Sequence, residues 1–245
     1  MRQILIPIGS TLKSQLYITM GRLLVDLKRI LLFNKKSQPR IIIEVGSHRG
    51  DNNLLRECSW NNDRLYMFEP SPLGYKQLVN KITKFKQGNM IAINKAVSDF
   101  NGQAKFHISN YDACSSLNKF NKRVNDVWED NLGKEGFHMI DKVTVDVIRL
   151  DKFITDNKIG HIDFLIIDAQ GEDFKIVKSL GKYIKLCQKI QVEVCINKDP
   201  LYENQFSKQD IIKYMQKHGF KIEKSRTQSF NREENIIFRK KGGHH

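Results

Sequence analysis

Proline is scarce in this 245-residue sequence, five in all, and glycine numbers only 15, which excludes collagen-like and glycine/proline-rich low-complexity chains. With 40% hydrophobic and 28% charged residues, the composition is that of a folded globular domain. Also absent is any run near the ~20 apolar residues of a membrane-spanning helix. The longest N-terminal runs, residues 23–25 and 30–33, are interrupted by Asp26, Lys28 and Arg29. The opening MRQILIPIGS has no small-residue cleavage site after an apolar stretch, so no secretory signal is expected. The four cysteines, Cys58, Cys114, Cys187 and Cys195, form neither a C-x-x-C pair nor the close spacing of a zinc site. A chain of this length has no need of disulfide staples. They are expected to be free thiols in a reducing, cytoplasmic setting.

What is abundant is positive charge, +14 in total. Half of it sits in residues 1–40, where eight cations meet one acid, Asp26. Ser10 can cap a helix there, and Leu12, Leu16, Met20, Leu23, Leu27 and Leu31 follow at steps of three or four, an apolar stripe. Residues 1–38 are therefore expected to be a basic amphipathic helical arm. Packing on its own domain or on a second copy is the leading expectation, and peripheral contact with a membrane surface is the other. The closing GGHH, 242–245, reads as an expression-tag remnant.

From residue 39 the pattern becomes short apolar runs alternating with amphipathic stretches, the signature of βαβ units and a parallel sheet. Five runs read as parallel strands: 41–45, 64–68, 90–97, 162–168 and 189–196. Helices fit near 51–58, 72–84 and 172–185. Residues 103–148 break the alternation, with strand-like AKFHIS and KVTVDVI around a polar loop, and are expected to be an insertion near the acceptor site. Ser207 and Asp210 open a further helix that Gly219 closes, and FKIEKS and NIIFRK then form an antiparallel hairpin. The expected fold over 39–241 is a doubly wound, mostly parallel α/β sheet of Rossmann-like type that ends in this hairpin.

Ligands of such sheets sit beyond the carboxyl ends of the strands, and four motifs fall there. In IIIEVGSHRG, Gly46 lets backbone approach a ligand and Gly50 eases entry into the helix. The missing G-x-G-x-x-G and the acid at Glu44 exclude a pyrophosphate turn, and with it a nicotinamide dehydrogenase. A carboxylate suits the ammonium and sulfonium of S-adenosylmethionine instead. In YMFEPSP, Glu69, followed by Pro70, ends the second strand, where a carboxylate can accept both ribose hydroxyls; Ser71 and Pro72 are left to start the next helix. Ala96 and the backbone of Val97 can wall the adenine ring. IDFLIIDAQGED delivers Asp168 to the same edge. On this reading Glu44 and Glu69 grip opposite ends of one cationic nucleoside.

Taken in order, EVGSHRGDN, FEPSP, NKAVSDFNGQAKFHIS, CSSL, VDVIRLDKFI, IDFLIIDAQGED and IQVEV resemble the FkbM family of methyltransferases over about 41–219. The resemblance implies a class I methyltransferase fold and methyl transfer to hydroxyl oxygen on sugars or polyketide-like small molecules. By motif position it implies cofactor contacts at Glu44, Gly46, Ser47, Glu69, Ala96 and Val97, with Asp168 beside the reacting centre. Two departures stand out. The family often carries Lys two residues before the aspartate and Glu two after it, where this chain has Ile166 and Gln170. A catalytic lysine at that position is excluded.

A sugar hydroxyl needs a base. The candidates are Asp168, Glu193 and His48, with Asp173 nearby, and Ser115 and Ser116 are expected to line the acceptor pocket. His107 and His138 read as surface histidines of the insertion. Clustered carboxylates can hold a divalent ion, but no spacing demands one, so no metal ligand is assigned. The insertion and residues 197–206 are expected to overhang the pocket and choose a hydroxylated small-molecule or glycan acceptor. Nucleic acid is the weaker partner: the fourth strand ends in DAQG, where amino-methylating enzymes of that class carry Asn or Asp, then Pro-Pro and an aromatic. An inactive nucleoside-binding scaffold of the same fold is the other alternative. A homo-oligomer is compatible with all of these.

Overall fold

The computed structural model describes residues 39–51, 54–61, 63–85, 89–128, 136–196, 198–203 and 205–242. The expected arm over 1–38 lies outside these residues, as does all but the first residue of the tag remnant. Ten strands are described: β1 (Ile41–Val45), β2 (Arg64–Phe68), β3 (Met90–Ile93), β4 (Ala96–Val97), β5 (Gly102–Ser109), β6 (Met139–Ile148), β7 (Ile162–Ile167), β8 (Cys187–Cys195), β9 (Phe220–Gln228) and β10 (Glu233–Lys240). Seven make the main sheet in the order β3-β2-β1-β7-β8-β10-β9. The first five of these run parallel, and β10 pairs antiparallel with both β8 and β9. The mostly parallel sheet with a terminal hairpin is thus present.

Alternation along the strands sends residues to two cores, which is why helices cover both faces. Ile42, Leu65, Met67 and Met90 bury against Leu55 and Cys58 of α1 (Leu54–Asn61) and Leu78 of α2 (Pro72–Ile82). Ile43, Val45, Tyr66, Phe68, Leu165, Ile167 and Val192 bury on the other face. There they meet α4 (Leu150–Asp156), α5 (Asp173–Ser179) and α6 (Lys208–Lys217), while α3 (Val124–Trp128) belongs to the insertion. Phe153 of α4 stands edge-on to both Tyr66 and Phe68, with ring centroids 5.2 and 4.9 Å apart.

Three sequence expectations are corrected. The run 90–97 is two strands, because Asn94 turns away to donate to the Glu69 and Pro70 carbonyls and β4 then joins a second, three-stranded sheet, β4-β6-β5. Residues 172–185 are not one helix: α5 ends at Ser179, and Gly181, at φ +50°, begins a separate 3-10 turn, Gly181–Leu186. Helix α4, between β6 and β7, was not expected. Where helix starts were read from capping residues, the caps are there: Ser71 accepts from the Gly74 N–H with Pro72 in the first turn, and Ser207 accepts from the Asp210 N–H.

Candidate active site

Strand order reverses between β1 and β7, and an open cleft lies beyond their carboxyl ends. Three strand tips build its floor. Backbone N–H groups of Gly46 and Ser47 both donate to the Phe68 carbonyl at 3.0 Å, and the Asp168 N–H donates to the Val45 carbonyl at 3.0 Å. The turn after β1 is thereby strapped to β2 and β7 together.

Glu69, at the tip of β2, is buried and held by both its oxygens: one accepts from the His48 N–H at 2.7 Å, the other from the Ser71 N–H at 2.8 Å. Burial pushes this carboxyl above its usual range against the pull of the two N–H groups. Each oxygen keeps a lone pair for a further donor, and Glu69 lines the cleft. So do Gly46, His48, Pro70, Ala96, Val97, Ser115 and Asp168. From the insertion come Phe106, Asp112, Ala113 and Leu117, which the sequence did not single out.

The remaining sequence candidates lie elsewhere. Glu44 is buried but absent from the cleft lining: its register partners, Met67 and Ile166, belong to the core under α1 and α2, the opposite face from Val45. The structure therefore does not bring Glu44 and Glu69 together in one cleft. Ser47 and Gly50 shape the turn without lining it, and Gly50 packs so closely that an added Cβ would sit 2.9 Å from methyls of Leu55 and Leu78. Ser116, buried, donates to the Gln170 carbonyl at 2.6 Å. Asp173 accepts from the Ala169 and Gly171 N–H groups at 3.2 and 3.0 Å. With Glu193 it lines a small separate cavity.

Glu193 reaches the cleft through an intermediary. Gln170, at φ +54°, turns its amide back so that Nε2 donates to Asp168 Oδ1 at 2.7 Å and faces Glu193 Oε2 at 3.4 Å. Its Oε1 accepts from the Tyr202 hydroxyl at 2.7 Å. Desolvation pushes the carboxyls of Asp168 and Glu193 upward, and that of Asp173 to about 7. At the cleft mouth, His48 Nε2 lies 3.3 Å from Asp112 Oδ2, and Asp112 also pairs with Arg49. Partial burial pushes Asp112 up, but Arg49 and His48 outweigh it and hold the carboxyl below its usual range. Glu172, buried and part of the cleft lining, accepts from Ser98 Oγ at 2.5 Å and pairs with Lys175 at 2.6 Å. Among the described residues, no group of three or more His, Cys, Asp or Glu is arranged to hold a metal ion.

The family model described as the methyltransferase FkbM domain matches residues 44–222, a span that runs from the end of β1 into β9 and includes every strand tip of the cleft. The chain belongs to the FkbM methyltransferase family. Its fold is the Rossmann-like α/β sheet of class I methyltransferases. No curated protein matches this FkbM chain significantly. Among solved structures it is similar to the magnesium protoporphyrin IX methyltransferase ChlM from Synechocystis PCC 6803 with bound SAM, at 9% identity, over 98% of this chain and 86% of that one, with a TM-score of 0.45. It is also similar to an rRNA methylase from Streptococcus thermophilus, at 9% identity over 83% and 88% of the two chains, with a TM-score of 0.45. In this FkbM domain no described helix is long and apolar enough to cross a membrane, and none of the four cysteines is in a disulfide.

Proposed function

We propose that the chain is an S-adenosylmethionine-dependent O-methyltransferase acting on a hydroxyl of a sugar, glycan or hydroxylated small molecule. The observation that carries this reading is the pair of carboxylates facing one cleft from the two tips that flank β1, Glu69 on β2 and Asp168 on β7, with Gly46 of the β1 turn between them. Glu69, its oxygens oriented by two N–H groups, takes the ribose hydroxyls. Ala96, Val97 and Pro70 wall the adenine. Asp168 faces the cationic end, so the role first given to Glu44 passes to it. The cofactor supplies an electrophilic methyl on a sulfonium.

Transfer to oxygen then needs alignment and a base. With the methyl donor held beside it, Asp168 would take the hydroxyl proton as the acceptor oxygen takes the methyl group, and the donor would leave as its neutral thioether. Ser115 and the insertion residues Phe106, Asp112 and Leu117 border the acceptor side. Ile166, packed against the core, supplies no lysine, which leaves Asp168 and His48 as the base candidates that line the cleft.

Calorimetry with S-adenosylmethionine and with NAD on the wild type and on Glu69→Ala, followed by a methyl-transfer screen over glycans, hydroxylated small molecules and RNA, tests the reading. The expected result is binding of S-adenosylmethionine alone, weakened at least ~10-fold by Glu69→Ala through loss of charge-assisted hydrogen bonds, and transfer to a hydroxyl acceptor. Tight NAD binding, or affinity indifferent to Glu69, removes the cofactor assignment; transfer to RNA alone removes the acceptor class.

A further inference from the structure

Behind the cleft lies an unusual concentration of acid. Asp168 from the tip of β7, Asp173 from α5, Glu193 from β8 and Glu233 from β10 converge there; the last three are buried, desolvation pushes all four carboxyls upward, and the charge of Asp168 adds to that push on the other three. Three of them take hydrogen bonds from neutral donors: Asp168 from the Gln170 amide, Glu193 from the amides of Gln170 and Gln228, and Asp173 from two backbone N–H groups. The other titratable groups facing the cluster are His48 from the turn after β1, Tyr202, and Cys114 from the insertion. Where the family often sets a lysine, this chain has Ile166.

Four carboxylates in one desolvated place do not all ionise together; such groups share protons. Gln170 selects which two are joined. Its carbonyl oxygen is fixed by Tyr202, so its NH2 group is presented to Asp168 on the cleft side and Glu193 on the core side.

We propose that Asp168 and Glu193, bridged by the amide of Gln170, share one proton while the cleft is empty, and that a sulfonium entering the cleft discharges it to solvent. This deepens the cofactor reading above and rests on it. Charge balance gives the device its logic. S-adenosylmethionine brings one net positive charge, its amino and carboxylate groups cancelling, and one proton leaves. Transfer of the methyl group removes the sulfonium charge, and the acceptor's proton refills the Asp168–Glu193 pair. The product, S-adenosylhomocysteine, is neutral and departs from a site already in its resting protonation state. The base is thus available only when the methyl donor is in place, and Gln170 is a positioning residue for it.

The test is calorimetry of the full chain at about pH 7 in phosphate and in Tris, whose ionisation heats differ, with S-adenosylmethionine and S-adenosylhomocysteine as probes. The proposal expects about one proton released per S-adenosylmethionine bound and none with S-adenosylhomocysteine. Affinity for S-adenosylmethionine should fall by up to ~10-fold for each unit by which pH is lowered below neutrality, while that for the product stays flat. Glu193→Gln should still bind the donor and release no proton. Equal heats in both buffers with the wild type overturn the proposal while leaving the cofactor reading intact. Proton release that persists in a folded Glu193→Gln assigns the proton to another group, such as His48, and also overturns it. Should that variant misfold, the wild-type comparison of the two ligands still decides. A chain that binds no S-adenosylmethionine brings down the cofactor reading and the proposal together.

Discussion

Replacing Gly46 with alanine should damage stability and binding at once, and the structure gives the size of both. The residue sits at φ +83°, where an L side chain costs about 1 kcal/mol by itself. An ideal Cβ there would lie 1.8 Å from the backbone oxygen of Asp168 and 2.8 Å from its carbonyl carbon. The two strand tips must separate by more than ~1 Å to relieve that overlap, and overpacking of this kind costs a further ~1–3 kcal/mol. At roughly 2–4 °C per kcal/mol for a chain of this size, the melting temperature should fall by about 5–15 °C. The displaced group is Asp168, the proposed base, and a 1 Å misplacement of such a group would cost ~100-fold in rate. Thermal unfolding and calorimetry with S-adenosylmethionine measure the two effects. Gly160→Ala is the control, since nothing lies within 4 Å of its added Cβ. A Gly46→Ala protein that melts within ~2 °C of wild type and binds the cofactor equally well would refute the argument that this turn is wedged against β7.

The buried acid cluster has a signature in stability as well as in binding. Burial, with Asp168 beside it, pushes Asp173 to about 7, so between about pH 4 and that value the native chain keeps a proton that the unfolded chain has lost. Stability from this group is therefore complete below about pH 4 and is lost as pH rises towards about 7. Asp173→Asn should flatten the pH dependence of the urea midpoint across that window, and an unchanged slope would contradict the assignment. Thiol reactivity offers a third check. Burial pushes the Cys58, Cys114 and Cys187 thiols up to about 12, so site-resolved alkylation should run at least ~100-fold slower on the native chain than on the unfolded one. Comparable rates would contradict their burial.

The parallel strands that carry the cleft were legible because they are short apolar runs ending in a residue with a job, such as Glu69 or Asp168. Caps were legible for the same local reason, as Ser71 and Ser207 illustrate. Misreadings arose where pairing is non-local. Residues 90–97 look continuous in hydrophobicity, and only the Asn94 side chain, bonded to carbonyls 24 and 25 residues earlier, marks the change of sheet. Helix α4 is two turns long, follows β6 with no glycine or proline between, and its cap residue Arg149 makes no side-chain capping bond, so it left no start signal. Glu44 was expected in the cleft because of its place in the motif, yet strand alternation turns it to the face of Met67 and Ile166. Gln170 registered only as a departure from the family pattern; its importance depends on Tyr202, 32 residues later, and on Glu193, 23 residues later. Residues 197–206 were expected to overhang the pocket; none of the described ones lines the cleft, and Tyr202 touches it only through Gln170.

The two-residue strand β4 has a consequence for how this enzyme can be remodelled. Ala96 and Val97 pair with Val147 and Ile148, so the wall assigned to the purine and the platform of the acceptor-facing module are one piece of β-structure. A graft of residues 103–148 from another enzyme would import a foreign partner for that wall, and changing the acceptor would loosen the grip on the methyl donor. Exchanges cut upstream of Asn94 and downstream of Ile148 carry both surfaces across together, which makes that longer segment the natural unit of recombination.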